Sequence, residues 1–186
     1  MEQLNIPILL GTNRKDRQSE HVARWLLGLM EKRDNINTRL FDARDFDLPN
    51  DDYGPNIKDL FPEWRDAITN ADGLVIVAPE YNHAYPGILK SILDTLLKEY
   101  IHKAVGLVGV SAGSWGGTRV IEALVPMVRE LGLAVTFTDL NFAKVQNAFD
   151  EHGSIKDAQR FEKLAKGFLD ELTWMSQALR WGRHNL

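Results

Sequence analysis

Segments rich in apolar residues recur along the chain and are separated by segments with helical periodicity. Five of them predict β-strands, at residues 6–10, 38–41, 74–78, 105–110 and 133–138. Most are apolar at every position, which is the pattern of strands that are covered on both faces in a parallel sheet. Pro7 lacks an amide hydrogen, so it is acceptable in the first strand only as the first residue.

Amphipathic helices are predicted between these strands, because apolar side chains recur there every three or four positions. The first helix begins near Glu20 and carries an apolar stripe over residues 22–30. Further stripes cover residues 60–71, a wide arc at 88–97, and 120–131, where Gly132 is a good helix stop. The last helix spans about residues 155–179.

Regular alternation of strands and helices indicates right-handed crossovers and a doubly wound parallel sheet. The sequence therefore predicts one α/β domain over residues 1–186, a flavodoxin-like three-layer α/β/α sandwich. Its five-stranded parallel sheet has the expected order 2-1-3-4-5. Ligands of such sheets bind beyond the carboxyl ends of the strands, beside the switch in strand order. The loops after the first, third and fourth strands are therefore the expected site.

Composition and charge narrow the chemistry of that site. The chain has 186 residues, of which 44% are hydrophobic and 26% are charged, as in ordinary soluble domains. It has no cysteine, which excludes disulfides, thiolate metal sites and a cysteine nucleophile. A net charge of −4 without a basic stripe argues against nucleic-acid and membrane partners. The N-terminus lacks a signal-peptide pattern, so a cytoplasmic location is predicted.

The loop after the first strand has the composition of a phosphate site. It contains Thr12, Arg14, Arg17 and Ser19 and leads into a helix N-terminus. Free amides and the helix dipole attract an anion there, and guanidinium groups match phosphate oxygens in a planar fork. Its sequence matches neither the nucleoside-triphosphatase motif nor the dinucleotide-binding motif. The alternative is a solvated loop in which Ser19 only caps the helix.

The loop after the third strand, residues 79–86, is stiff and aromatic. Two prolines bracket two tyrosines, Asn82 and His83, a combination that suits a flat heteroaromatic ring. The alternative is a turn in which the tyrosines are packing residues. We expect Glu80 to be a surface carboxylate rather than a general base, and His83 to be a hydrogen-bonded loop residue. No second histidine or carboxylate stands at metal-ligand spacing, so no metal site is predicted.

The loop after the fourth strand holds three glycines in seven residues, which let the backbone approach a ligand closely. A rival interpretation is a nucleophile elbow at Ser111, which has Gly109 and Gly113 two positions away on either side. A hydrolase of that kind needs an acid and a histidine further along the chain. His152 and His184 have no organising context, and the arginines of the first loop would stay unexplained.

Taken in this order, these loops resemble the NADPH-dependent FMN reductase family of flavodoxin-like flavoproteins, which includes quinone, azo-dye and chromate reductases. The resemblance extends from the first strand to about residue 140. The matching residues are Gly11, Thr12, Asn13 and Arg14 with Arg17, Ser19 and 22–25; Pro79, Glu80, Tyr81 and Asn82 with Pro86, Gly87, Leu89, Lys90 and Asp94; and Ser111, Ala112 and Gly113 with Gly116 and Gly117.

The resemblance implies FMN as cofactor, with NADPH or NADH as hydride donor. The flavin would carry the chemistry, so no side chain is assigned a catalytic role. The resemblance implies three sets of FMN-binding residues. The phosphate would be held by Thr12, Arg14, Arg17, Gln18 and Ser19. The isoalloxazine and ribityl chain would be supported by Pro79, Glu80, Tyr81, Asn82 and His83, and the other ring edge by Ser111, Gly113, Gly116 and Gly117.

The implied activity is hydride transfer from NAD(P)H through FMN to a small acceptor, namely free flavin, a quinone, an azo compound or a metal oxyanion. A flavodoxin-type electron carrier and a flavin-binding redox regulatory protein are the alternatives.

A homodimer or homotetramer is also predicted, because the wide apolar arc at 88–97 favours burial against a partner subunit. Trp174 and Trp181 lie off the main stripe of the last helix and add to this expectation. Family members commonly have Asn and Trp where this chain has Ser91 and Thr95, in a helix that the family uses for subunit contacts.

Overall fold

The computed structural model describes residues 2–186, in which strands and helices alternate as predicted. The strands are β1 (Leu4–Asn5), β2 (Ile8–Leu10), β3 (Ile36–Asn37), β4 (Leu40–Asp42), β5 (Gly73–Pro79), β6 (Lys103–Val110), β7 (Leu133–Val135) and β8 (Leu140–Phe142). The helices are α1 (Ser19–Met30), α2 (Pro62–Thr69), α3 (Gly87–Asp94), α4 (Thr118–Glu130) and α5 (Ala158–Asn185).

All strand pairs are parallel, and the main sheet has the order β4-β2-β5-β6-β7. β8 also pairs with β6, further along that strand than β7 does. β7 and β8 are therefore two segments at one strand position, and the predicted order 2-1-3-4-5 is confirmed. The expected five continuous strands are a simplification, because the sheet contains six strand segments.

The first strand is interrupted at Pro7 rather than begun by it, since β1 and β2 lie on either side. The carbonyl of Pro7 accepts a hydrogen bond from the amide of Val75 at 2.9 Å. Pro7 has no amide hydrogen with which to continue the ladder, so regular pairing stops there and resumes at Ile8. The objection that Pro7 raised to a continuous strand at 6–10 is thus confirmed, because the strand is divided there.

The last strand is interrupted by a bulge. β6 advances from Val105 to Val108 while its neighbour advances from Val135 to Leu140. The additional residues loop out, as in a β-bulge, and pairing then resumes in β8. The predicted strand at 133–138 therefore ends early, and its continuation lies beyond the predicted segment.

Apolar side chains form one core on each face of the sheet. α1 and α5 cover one face, and α2, α3 and α4 cover the other. On α3, the side chains of Leu89, Ile92 and Leu93 are completely buried within the chain itself. The protein's own core therefore explains most of the wide apolar arc, whereas Leu97 at its end is 50% exposed. No helix among residues 2–186 has the length and apolar character needed to cross a membrane.

Candidate functional site

The loops that follow β2, β5 and β6 enclose a cavity of about 280 Å³ at the carboxyl edge of the sheet. Its lining consists of Arg14, Asp16, Arg17, Gln18, Ser19, Pro79, Glu80, Tyr81, Val110, Ser111, Ala112 and Val145. The three loops selected from the sequence therefore meet. Val145 follows β8 and was not predicted, because no polar or glycine pattern marks it. Of the larger hollows, two, of about 430 and 450 Å³, lie beside β4 and α2, away from these loops. A third, of about 370 Å³, lies on the first loop and the start of α1, beside Lys15, His21 and Arg44.

Ser19 lies at the start of α1, on the wall of this cavity. Its Oγ is buried and has no hydrogen-bond partner within residues 2–186. The residue in the N-cap position is Gln18, whose side chain makes no capping bond. The capping interpretation of Ser19 is therefore wrong. An unpartnered hydroxyl beside a helix N-terminus offers a donor to an anionic oxygen.

Arg17 is held by carboxylates instead of facing the cavity with a free charge. Its side chain is only 2% exposed and forms ion pairs with Asp42 and Glu20. It also donates a hydrogen bond to the carbonyl of Thr12. Burial alone would lower the pKa of Arg17, because it disfavours the charged form. Hydrogen bonds and electrostatic attraction from Asp42 and Glu20 outweigh burial, so the pKa of Arg17 is raised. The guanidinium fastens the loop to β4, and Arg17 also lines the cavity, so its direct contact with a phosphate stays a prediction.

Arg14 has the opposite environment. Its guanidinium lies 5.8 Å from the ring centroid of Tyr81, and it forms no salt bridge within residues 2–186. The Tyr81 hydroxyl is 3.2 Å from Oγ1 of Thr12, which links the first and second loops beneath it. Arg44, which the sequence did not single out, donates hydrogen bonds to the carbonyls of Asn13 and Arg14 at 3.3 and 2.7 Å. The loop is thus fixed while the charge of Arg14 is available.

Residues 81–84 form a tight turn at the cavity wall. The central residues Asn82 and His83 have φ angles of 50° and 68°, and Tyr81 and Ala84 exchange both backbone hydrogen bonds. Two positive φ angles and paired end residues are the features of a type I′ turn. The side chains of Asn82 and His83 are exposed at its tip and do not line the cavity.

Glu80 is not the surface carboxylate that we expected. Its side chain is 9% exposed, and one oxygen, Oε2, is buried without a hydrogen-bond partner within residues 2–186. The other oxygen lies 3.7 Å from a guanidinium nitrogen of Arg119 on α4. Because Glu80 lines the cavity, Oε2 is an acceptor for a hydroxyl or N–H group of a ligand.

Ser111 accepts a hydrogen bond at its Oγ from the amide of Gly113, at 3.0 Å. No histidine in residues 2–186 hydrogen-bonds to it, and both His152 and His184 are exposed. The nucleophile-elbow interpretation therefore receives no support.

Gly116 and Gly117 are explained by packing rather than by a ligand. Their φ angles are 63° and 81°, which side-chain-bearing residues rarely adopt, and both are buried without lining the cavity. Gly117 packs so closely on β6 that a Cβ added to Gly109 would lie 2.6 Å from its carbonyl oxygen. Contact of these two glycines with a ligand stays a prediction. Gly113 is exposed and also lies outside the cavity lining.

The lining as a whole suits a ligand with two chemically different ends. The end at α1 offers the free charge of Arg14, the hydroxyl of Ser19 and helix amides, which favour a phosphate. The other end offers an aromatic wall and the acceptor oxygen of Glu80. No group of three or more His, Asp or Glu side chains within residues 2–186 is placed to hold a metal ion.

Comparison with known proteins identifies the family. The family model "NADPH-dependent FMN reductase" matches residues 4–147. An FMN-dependent NADPH-azoreductase of Staphylococcus haemolyticus is 26% identical over 172 residues, which cover 89% of this chain and 91% of the relative. A quinone reductase of Pseudomonas putida is 26% identical over 170 residues, which cover 84% of this chain and 87% of the relative. The solved structure of FerB, a flavoenzyme NAD(P)H:(acceptor) oxidoreductase from Paracoccus denitrificans, has a TM-score of 0.74 at 21% identity, covering 94% of this chain and 98% of that chain. The chain belongs to the NADPH-dependent FMN reductase family.

Proposed function

We propose that this protein is an FMN-dependent NAD(P)H oxidoreductase, which passes a hydride from NADPH or NADH through bound FMN to a small electron acceptor. The observation that carries the proposal is the buried, unpartnered Oγ of Ser19 at the N-terminus of α1, beside the free guanidinium of Arg14. Such a pair suits the phosphate of a mononucleotide. The names of the azoreductase and quinone reductase relatives support the same activity.

The chain's own residues bind and orient the cofactor in this proposal. Arg14, Ser19 and the first amides of α1 hold the phosphate, while Arg17 fixes the loop from below. Tyr81 forms a wall of the ring site, and Oε2 of Glu80 accepts a hydrogen bond from a polar group of the ligand. Bound FMN supplies the centre that accepts and releases the hydride. Contacts of FMN with the other expected residues stay predictions, namely those with Thr12, Arg17, Gln18, Pro79, Asn82, His83, Ser111, Gly113, Gly116 and Gly117.

The test is a visible spectrum of the purified protein after incubation with FMN and desalting, followed by anaerobic addition of NADPH. We expect flavin bands that are retained and then bleach. Retained bands that do not bleach with NADPH or NADH would contradict the oxidoreductase and favour an electron carrier or a redox regulatory protein. Loss of all flavin on desalting would contradict the FMN site itself.

We also propose that the protein is a homodimer or homotetramer, because Trp174 and Trp181 are large, exposed apolar side chains seven positions apart on α5. Sedimentation equilibrium of the FMN-loaded protein measures this, and a monomer would contradict it.

A cytoplasmic location and the absence of nucleic-acid and membrane partners stay predictions. The acceptor classes are free flavins, quinones, azo compounds and metal oxyanions.

A further inference from the structure

An exposed tryptophan stands on the glycine-rich loop beside the cavity. Trp115 is 61% exposed, although large aromatic side chains are normally covered. Its backbone is fixed, because Thr118 donates to the Trp115 carbonyl from its amide at 3.1 Å and from its hydroxyl at 2.7 Å. Asn141 holds the neighbouring carbonyl of Gly116 at 3.2 Å. The indole is therefore presented to solvent by a rigid part of the molecule.

Arg119 stacks on this indole. Its guanidinium carbon lies 4.9 Å from the ring centroid of Trp115, and its side chain is 40% exposed. Among residues 2–186, it donates no hydrogen bond, and its one salt-bridge partner is Glu80 at 3.7 Å. That separation is longer than a charge-assisted hydrogen bond, so the donors of the guanidinium are available to a ligand.

The pair lies next to the cavity, although neither of its side chains belongs to the cavity lining. Glu80 both lines the cavity and contacts Arg119. Ser111 and Ala112 also line it, and the same loop continues to Trp115. Two guanidinium–aromatic pairs thus lie at this site: Arg14 with Tyr81, which both line the cavity, and Arg119 with Trp115, which reaches the lining residue Glu80. The proposed phosphate site uses only the first.

We propose that Trp115 and Arg119 form a subsite for electron acceptors that carry an anionic group on an aromatic ring, such as a sulfonate or a carboxylate. The proposal rests on the proposed oxidoreductase function. The indole face supplies area on which a planar ring stacks, and the guanidinium pairs with the anionic substituent. A neutral acceptor of the same ring system gains only the stacking. The subsite therefore selects among acceptors without taking part in hydride transfer.

The phosphorylated adenosine of NADPH has the same chemistry, an aromatic ring with an anion, so the experiment must separate donor from acceptor. The FMN-loaded protein is compared with its Arg119→Gln and Trp115→Leu variants. Arg129→Gln is the matched control, because Arg129 is exposed in the last turn of the same helix, at the end opposite Arg119. Steady-state rates are measured with 1,4-naphthoquinone, with 1,4-naphthoquinone-2-sulfonate, and with NADPH and NADH as donors. Binding of 2-naphthalenesulfonate to the oxidised protein is measured by calorimetry.

We expect Arg119→Gln to raise the KM for the sulfonated quinone and the Kd for 2-naphthalenesulfonate by about tenfold, the effect of losing one charge-assisted bond at a half-exposed site. The KM for the neutral quinone should change by less than about twofold, since no charge pairs there. Trp115→Leu should weaken binding of both ring systems. Arg129→Gln should match the wild type.

Equal effects of Arg119→Gln on the neutral and sulfonated compounds would overturn the subsite. A rise in KM that is confined to NADPH would overturn it in favour of the donor's phosphate. A changed sedimentation coefficient with unaltered Kd would show a subunit contact and would also overturn it. If the wild type oxidises no NAD(P)H, the proposed function fails, whereas the calorimetric comparison still decides whether the anion subsite exists.

Discussion

Arg14 and Arg17 belong to one loop, and their charges face different surroundings. The charge of Arg17 is neutralised by Asp42 and Glu20, whereas that of Arg14 has no carboxylate partner within residues 2–186. The sequence predicted the loop as an anion site but could not separate the two arginines. Asp42 stands 25 positions from Arg17, and only the parallel pairing of β2 with β4 brings it beside the loop.

This difference gives a prediction at the level of single side chains. Arg14→Ala should weaken FMN binding by about 1.5–3 kcal/mol, the contribution of a hydrogen bond to a charged group. Ser19→Ala should weaken it less, because a neutral hydroxyl donor is lost. Fluorescence titration of the apoprotein with FMN measures both. Lys32→Ala, an exposed change beyond the other end of α1, is the control. Unchanged FMN affinity in Arg14→Ala would show that the phosphate site is wrong.

Glycines in the elements around the cavity have two different physical roles. Gly109 lies within β6 and has backbone of Gly117 where its own Cβ would be. Gly28 lies within α1 and has open space at that position. The cost of adding a methyl group is therefore set by the neighbouring element and not by the glycine.

We expect Gly109→Ala to lower the free energy of unfolding by about 1–3 kcal/mol, because rigid backbone must shift to admit the methyl group. Gly28→Ala should raise it by about 0.5–1 kcal/mol, the usual gain on removing glycine from a helix interior. Denaturant unfolding followed by circular dichroism measures both variants. A Gly109→Ala protein as stable as the wild type would contradict the close approach of α4 to β6.

The elements that could be predicted were those whose signal is local. Continuous apolar runs located β5 and β6, and helical stripes located α1 and α4. β8 was missed because its pairing with β6 depends on a bulge in the fifth strand position, which no pattern of apolar residues records. The apolar arc of α3 was detected but interpreted as a subunit contact, since a helix buried in its own core has the same pattern.

Lys103 lies at the opposite edge of the sheet from the cavity and links β6 to the end of α2. It is buried at the start of β6, and its Nζ donates hydrogen bonds to the carbonyls of Ile68 and Thr69 at the end of α2. Burial and the nearby charge of Arg183 lower the pKa of Lys103 to about 8, although Asp72 opposes the shift. A lysine that charges less readily when folded makes stability depend on pH.

Between pH 8 and the ordinary lysine pKa of 10.5, the unfolded chain binds a proton that the folded chain does not. The free energy of unfolding should therefore rise with pH in this window, by roughly 1 kcal/mol per pH unit at most. Burial raises the pKa of Tyr100 well above its usual value. At a pH where tyrosine ionises only in the unfolded chain, this difference lowers the free energy of unfolding as pH rises. The measurement therefore ends near pH 9.5.

Lys103→Met should remove the rise, and Lys163→Met, on the exposed surface of α5, should keep it. Denaturant melts at half-unit steps of pH measure the slope. A flat wild-type profile would show that Lys103 stays protonated in the folded protein.

The pairing of β5 with β6 has a further consequence for how the molecule opens. These two strands are buried throughout, and their register is unbroken from Gly73 to Pro79 of β5. The strand positions at both edges are short or interrupted. In amide hydrogen exchange, the centre of the sheet should open last and its edges first. Two of the three cavity loops start from this slow-exchanging pair, so local unfolding at the sheet edges should leave most of the cavity wall in place.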